Sequence, residues 1–234
     1  MQAKYSIYLG YYRPINRLGL NSFAENVSAL EFNEERGYGF KDISLEGTYL
    51  TATLFKRNPV FISDFDPLTL QITKRQIFLF EEIDFAMDGK REMLEVYGAS
   101  KAIPKLRSTI ATALPQNIRE EAVDTAPWRF IPGLLAYGGD ILIERLIIQN
   151  FRYREAGVGK YEISIDNQVT ALQLLAEYEY NVTKARFQLQ LPGFPEVEIE
   201  ASTSSRLVIK CAEKIFYELL DLVKDVLVVN HQKN

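Results

Sequence analysis

Apolar and polar residues alternate along most of the chain, and the two-residue period gives way to a helical one only near the middle and at the end. In residues 3–9, Tyr5, Ile7 and Leu9 fall on one face, the pattern of a half-buried strand. Residues 10–30 are irregular, with Gly10, Pro14, Gly19 and Asn21, and leave room for a short helix over 22–30. Strand patterns follow at 42–45, 49–56, 60–64, 68–73, 76–84 and 93–97. Asn58-Pro59 and Asp66-Pro67 read as turns between them, and Met87-Asp88-Gly89-Lys90 as a hairpin turn. After Ser100, an expected N-cap, the residues Ile103, Leu106, Ile110 and Leu114 recur at helical spacing. Pro104 is tolerated in the first turn of that helix, and Pro115 ends it.

The segment 115–140 begins with an expected short helix at 116–123. It continues through Pro127, Trp128, Pro132, Gly133 and Gly138-Gly139. Trp128, Phe130, Ile131, Leu134 and Leu135 make it too apolar for a free tether, so it reads as a packed strap. Strands are then expected at 141–154, 160–166, 169–180, 182–191, 195–201 and 206–210. A final helix over 212–229 carries an apolar stripe of Ile215, Leu219, Leu222, Val223 and Val226, strong enough to suggest a partner-facing surface as well.

Four short patterns recur in order roughly 110 to 120 residues apart, the mark of an internal repeat. Gly37-Tyr38-Gly39 with Ile43-Ser44-Leu45 matches Gly157-Val158-Gly159 with Ile163-Ser164-Ile165, and Thr51-Ala52 matches Thr170-Ala171. Ile72-Thr73-Lys74 matches Val182-Thr183-Lys184, and Leu94, Val96 and Ala99 match Leu207, Ile209 and Ala212. The expected organisation is an N-terminal strand and extension (1–30), a first sheet-and-helix repeat (31–114), the strap (115–140) and a second repeat (141–234). The fold class is α+β: two similar antiparallel sheets, each closed by a C-terminal helix. The β-β-α run from Ile83-Asp84-Phe85 through Leu94-Glu95-Val96-Tyr97-Gly98-Ala99-Ser100-Lys101 resembles, in fold type, duplicated saddle-like proteins. The TATA-binding-protein class and the RdgC-like recombination proteins share that plan. The resemblance implies a saddle-like architecture and a leaning toward DNA or protein binding, and carries over no functional residue.

Composition narrows the chemistry. Of 234 residues, 47% are hydrophobic, and 27 basic residues face 31 acidic ones, for a net charge of −4. A generally basic nucleic-acid coat is excluded, while a local basic strip is not. No apolar run reaches the roughly 18 residues of a membrane helix, so no membrane partner is expected. The start Met1-Gln2-Ala3-Lys4-Tyr5 lacks a signal-peptide core, and a single cysteine rules out an internal disulfide, so the expected location is cytoplasmic. The only histidine, His231, stands at the end of the chain, and Cys211 reads as a small buried residue. No phosphate-binding Gly-Lys-Ser/Thr motif and no Cys/His zinc set exist, so no cofactor is expected and no catalytic residue is assigned.

Two sets of charged residues remain. Asp64 and Asp84, with Asp66 and Lys74 nearby, would form a divalent-metal nuclease centre if their strands were neighbours. Lys56-Arg57 and Lys74-Arg75 in the first half, and Lys184 and Arg186 in the second, flank strands rich in aromatics such as Phe78, Phe80 and Phe187. Equivalent Lys74 and Lys184 on a shared face would suit phosphate contacts, with the aromatics stacking on bases. The leading expectation is a non-enzymatic binding or adaptor subunit of a protein assembly, its partner another protein or a second copy of itself. It rests on 14 Phe, 13 Tyr and the lack of convergent catalytic groups. Nucleic-acid binding through the basic positions comes second, and the metal-dependent nuclease third.

Overall fold

The computed structural model describes residues 2–14, 19–68, 70–98, 102–113, 118–153 and 157–232. The expected roles of Ser100 and Leu114, and the side chains of Asp66 and His231, lie outside the described residues. In chain order the first elements are β1 (Ala3–Pro14), α1 (Leu20–Ala29), β2 (Tyr38–Glu46), β3 (Tyr49–Asp66), β4 (Gln71–Asp88), β5 (Met93–Tyr97) and α2 (Ala102–Ala113). They are followed by β6 (Ile118–Ala122), α3 (Pro127–Ala136), β7 (Asp140–Tyr153), β8 (Gly157–Ser164) and α4 (Gln168–Glu177). The chain ends with β9 (Val182–Gln190), β10 (Val197–Ser202), β11 (Arg206–Cys211) and α5 (Phe216–Gln232). The fold is α+β and its strand pairs are antiparallel. The chain divides into two compact units, one of residues 1–12, 91–99 and 120–234, the other of residues 13–90 and 100–119.

In the first unit the strands run β5-β1-β11-β10-β9-β7-β8, with β6 paired to β1. Alternation decides which face is buried. Ile7 and Leu9 of β1, Phe187 and Leu189 of β9, Ile199 and Ala201 of β10, and Leu207, Ile209 and Cys211 of β11 all point into the core. Helix α5 closes it with Leu219, Leu220, Val223, Val226 and Leu227. The apolar stripe expected to face a partner is therefore consumed by the protein's own core. Within the segment read as a strap, Phe130, Ile131 and Leu134 of α3 are fully buried, whereas Leu135 is exposed.

Two elements take the opposite type from the sequence expectation. Residues 169–180, read as a strand, form α4. The Asn167 side chain accepts hydrogen bonds from the Val169 and Thr170 N–H groups, and Ala171 and Leu175 bury one helical stripe. Residues 116–123, read as a helix, supply the strand β6. Arg119-Glu120-Glu121 leaves no apolar stripe for a helix to bury, whereas pairing with β1 satisfies the backbone.

The second unit holds β2-β3-β4 with α1 and α2. Phe23 and Val27 of α1, Leu106 and Ile110 of α2, and Phe40, Leu50, Leu54, Ile83, Phe85 and Met87 of the strands are buried. Strands β3 and β4 are 18 residues each and pair without a break from Tyr49–Asp88 to Asp66–Gln71. The turn expected at Asn58-Pro59 does not occur. The Arg57 N–H donates to the Gly37 carbonyl on the β2 side, and Pro59, two residues on, turns its nitrogen to the same side. The β2–β3 ladder stops at Tyr38–Lys56, so proline forfeits no ladder bond there.

The duplication expected from sequence is not shown by the fold. Thr51-Ala52 lies in strand β3 and Thr170-Ala171 in helix α4. Strands β2, β3 and β4 form a meander, whereas the β7–β8 hairpin is followed by α4 and then by β9 pairing with β7. Gly, Thr and β-branched residues recur wherever strands begin and turn, so strings of this kind do not require a common origin.

Candidate interaction arm

Beyond Lys56, β3 and β4 continue as a two-stranded ribbon. Residues 58–66 and 71–79 extend it by about 30 Å at the usual rise per residue. Cross-strand partners share a face, so the register sorts the side chains. One face carries Phe55 with Glu82, Arg57 with Phe80, Pro59 with Phe78, Phe61 with Gln76, Ser63 with Lys74 and Phe65 with Ile72. The other carries Lys56 with Glu81, Asn58 with Leu79, Val60 with Ile77, Ile62 with Arg75 and Asp64 with Thr73.

The first face is aromatic and open to solvent. Phe61 is 68% exposed, and Phe65, Ile72, Phe78 and Phe80 are exposed as well. At the tip Leu68 is 93% exposed, and Leu70 sits next to the turn with a positive φ of 52°. Near the base, contacts hold the arm. Phe55 stacks on Phe80 with ring centres 5.2 Å apart and meets Phe32 edge-on at 4.8 Å. The Lys41 ammonium lies 4.5 Å over the Phe55 ring and 2.6 Å from the Glu82 carboxylate. The Arg57 guanidinium covers the Phe78 ring at 4.3 Å. On the opposite face Lys105 of α2 donates to both Glu81 oxygens, at 2.6 and 2.7 Å, and Asn58 donates to Glu81 at 3.3 Å. The Lys105 hydrogen bonds hold the Glu81 carboxyl below the usual carboxylate range, Asn58 adding to the effect.

The basic candidates separate into two groups. Lys56, Arg57, Lys74 and Arg75 all lie on the arm, Arg57 and Lys74 on its aromatic face and the other two on the reverse. Lys184 and Arg186 lie on the polar face of β9 in the other unit, where acids of β10 answer them. Lys184 is 2.6 Å from Glu200, and Arg186 is 3.7 Å from Glu200 and 3.9 Å from Glu198. With Arg145, itself paired to Glu162, they border a cavity of about 110 Å³. Lys184 is thus committed to a close ion pair within its sheet and Arg186 to longer ones, its buried Nε finding no hydrogen-bond partner among the described residues, while Lys74 and Arg75 make no ion pair among the described residues.

The nuclease centre expected at Asp64 and Asp84 is not assembled. Their rungs, at Thr73 and Thr53, are separated by about 37 Å along the ribbon, and the two acids sit on opposite faces. Asp84 instead accepts a hydrogen bond from the Thr53 hydroxyl at 2.7 Å. Among the described residues, no group of three His, Cys, Asp or Glu is placed to hold a metal ion. Cys211 is buried, and burial pushes its thiol up, away from a reactive thiolate.

Sequence reasoning missed a buried polar network in the first unit. Lys224 of α5 lies 2.7 Å from Glu95 of β5 and 2.8 Å from Asp221, and the Tyr97 hydroxyl donates to the other Glu95 oxygen at 2.6 Å. Arg91 reaches Asp225 at 2.7 Å and Asp221 at 3.3 Å. The signal was a lone acid in the otherwise apolar run Met93-Leu94-Glu95-Val96, and a lysine next to Val223 on the apolar stripe of the last helix. No protein-family model matches the chain, and no curated protein matches it either. Among the described residues, no helix is long and apolar enough to cross a membrane.

Proposed function

We propose that the protein is a binding or adaptor subunit that docks through the β3–β4 arm. The observation that supports this reading is the arm's aromatic face. A two-stranded ribbon is marginal in water without a third element, and this one turns Phe61, Phe65, Ile72, Phe78 and Phe80 to solvent. Large aromatics on a preformed strand pair are the residues that anchor interfaces. The test is an arm-less variant in which Asn-Gly replaces residues 58–79 and joins Arg57 to Phe80, which already face each other as a rung. The tagged chain recovered from its own cells should run in an assembly that the arm-less form, still folded by circular dichroism, does not join. Identical behaviour of the two forms would end this reading.

A second reading, nucleic-acid binding, draws on the four cations of the arm, since a strand ribbon fits a DNA groove. Four carboxylates on the same stretch, Asp64, Asp66, Glu81 and Glu82, oppose it by cancelling the charge. Fluorescence anisotropy with labelled DNA at about 50 and about 200 mM salt separates the readings, because phosphate binding weakens steeply with salt.

A further inference from the structure

Resting on the docking role of the arm, we infer that its aromatic face is covered by the same face of a second copy of this chain, the two arms antiparallel about a two-fold axis at the Pro59–Phe78 rung. The register makes the face self-complementary at that position. An axis there, crossing the ribbon in the plane of the contact, lays β4 on β4 and β3 on β3 with their directions reversed. Phe78 meets Phe78 of the second copy. Four residues away on the same face, Lys74 meets Glu82 of the second copy, and the symmetry makes that contact twice. On β3, Arg57 meets Phe61 of the second copy, extending the cation–π contact that Arg57 already makes with Phe78. Glu82, the acid of this contact, is already bound to Lys41, but with 56% of its side chain exposed it has room for a second cation.

Charge and area both suit this occupant. Residues 56–82 carry four cations and four carboxylates, so two arms do not repel. The five exposed apolar side chains of the face, Phe61, Phe65, Ile72, Phe78 and Phe80, are each 44% to 69% exposed. At the size of an aromatic side chain that amounts to roughly 500 Å² per copy and about 1,000 Å² for a pair, where specific interfaces begin. An isologous contact of this kind closes on itself and leaves no open face for a third copy.

Light scattering and sedimentation equilibrium on the purified full chain test the inference. The wild type should dimerise, and Lys74→Glu should weaken the dimer at least about tenfold, because it sets like charges opposite each other twice. Combining Lys74→Glu with Glu82→Lys should recover most of the loss. Phe78→Cys, on the axis, should form a disulfide-linked dimer on mild oxidation, while Leu68→Cys at the tip should not. Both are surface positions, so circular dichroism should show unchanged folds. A wild type that stays monomeric throughout, a dimer indifferent to Lys74→Glu, or cross-linking equally efficient at Leu68 would each overturn the self-association. Should the monomeric chain still join an assembly that the arm-less variant cannot, the docking role stands and only the identity of the occupant is refuted.

Discussion

Replacing Lys224 with methionine removes one charge from a place water does not reach. Lys224 is 1% exposed and Glu95 is 0% exposed, so neither ion is solvated from outside. Methionine fills a similar volume, and the loss is therefore electrostatic rather than a cavity. Glu95 keeps the Tyr97 hydroxyl but loses a cation at 2.7 Å, and removing one member of a buried ion pair costs about 3–5 kcal/mol. Asp221 adds little, since it is 57% exposed and retains Arg91. Removing the acid as well, in Lys224→Met with Glu95→Gln, leaves a neutral amide that can still accept from Tyr97. That double variant should recover most of the loss. Urea unfolding followed by the fluorescence of Trp128, the only tryptophan and a residue of the same unit, measures both. For a unit of this size the single variant should also melt about 6–20 °C lower. A loss below about 1 kcal/mol, or single-variant losses that simply add in the double, would refute the description of the pair as dry and mutually dependent.

The Glu81–Lys105 contact carries a pH signature. A carboxyl held low in the fold stabilises it fully above the ordinary glutamate pKa, and that contribution disappears as pH falls through the lowered value. NMR titration of the Glu81 carboxyl should give a midpoint below that of a free glutamate, and Lys105→Met should move it upward; an unmoved midpoint would assign the shift to something else. Gly39 is a separate test of the second unit. A Cβ there would lie 2.5 Å from the Phe32 Cα and 2.6 Å from the Leu30 carbonyl oxygen, both backbone atoms that cannot swing away. Gly39→Ala should cost about 1–3 kcal/mol and speed amide exchange in residues 30–40, while exchange equal to wild type would contradict the close approach.

Elements whose buried face follows one clean period were legible in the sequence. β1, β9, β10 and β11 show apolar residues at every second position, and α5 shows them at three- and four-residue steps. The burial of Phe130, Ile131 and Leu134 was legible for a simpler reason, the density of large apolar groups around Trp128. α4 was misread because Val169, Ala171 and Leu175 fit a strand and a helix alike over so short a run. The capping Asn167 and the helix-forming residues from Gln168 onward were the stronger signal. The arm was read in pieces for a physical reason of its own. Ile77-Phe78-Leu79-Phe80 is apolar on both faces, which sequence logic assigns to a strand buried on both sides, and Pro59 reads as punctuation wherever a neighbouring strand is assumed. Only the end of the β2 ladder at Lys56 shows that proline and aromatics belong to an unpartnered ribbon. Lys74 and Arg75 were singled out for their charge, yet Phe61 and Phe65, on the same face as Lys74, were not. The consequence is that a surface of mixed aromatic and ionic character was read as a basic one.

The distribution of support along the arm argues for docking over a merely decorative hairpin. Its proximal rungs are clamped from both faces, by the Phe32–Phe55–Phe80 aromatic contacts with Lys41 on one side and by Asn58, Glu81 and Lys105 on the other. The Arg57–Phe78 contact is the last of these clamps going outward. Past it, Phe61, Phe65 and Ile72 are exposed on the paired strands. Ordering each residue there costs about 1–2 kcal/mol of backbone entropy, and exposed apolar groups return none of it. A distal ribbon with polar tips and valines would fold as readily and stay more soluble. Large aromatics instead make the free arm poorer and a covered arm richer, a trade that the proposed docking role would explain.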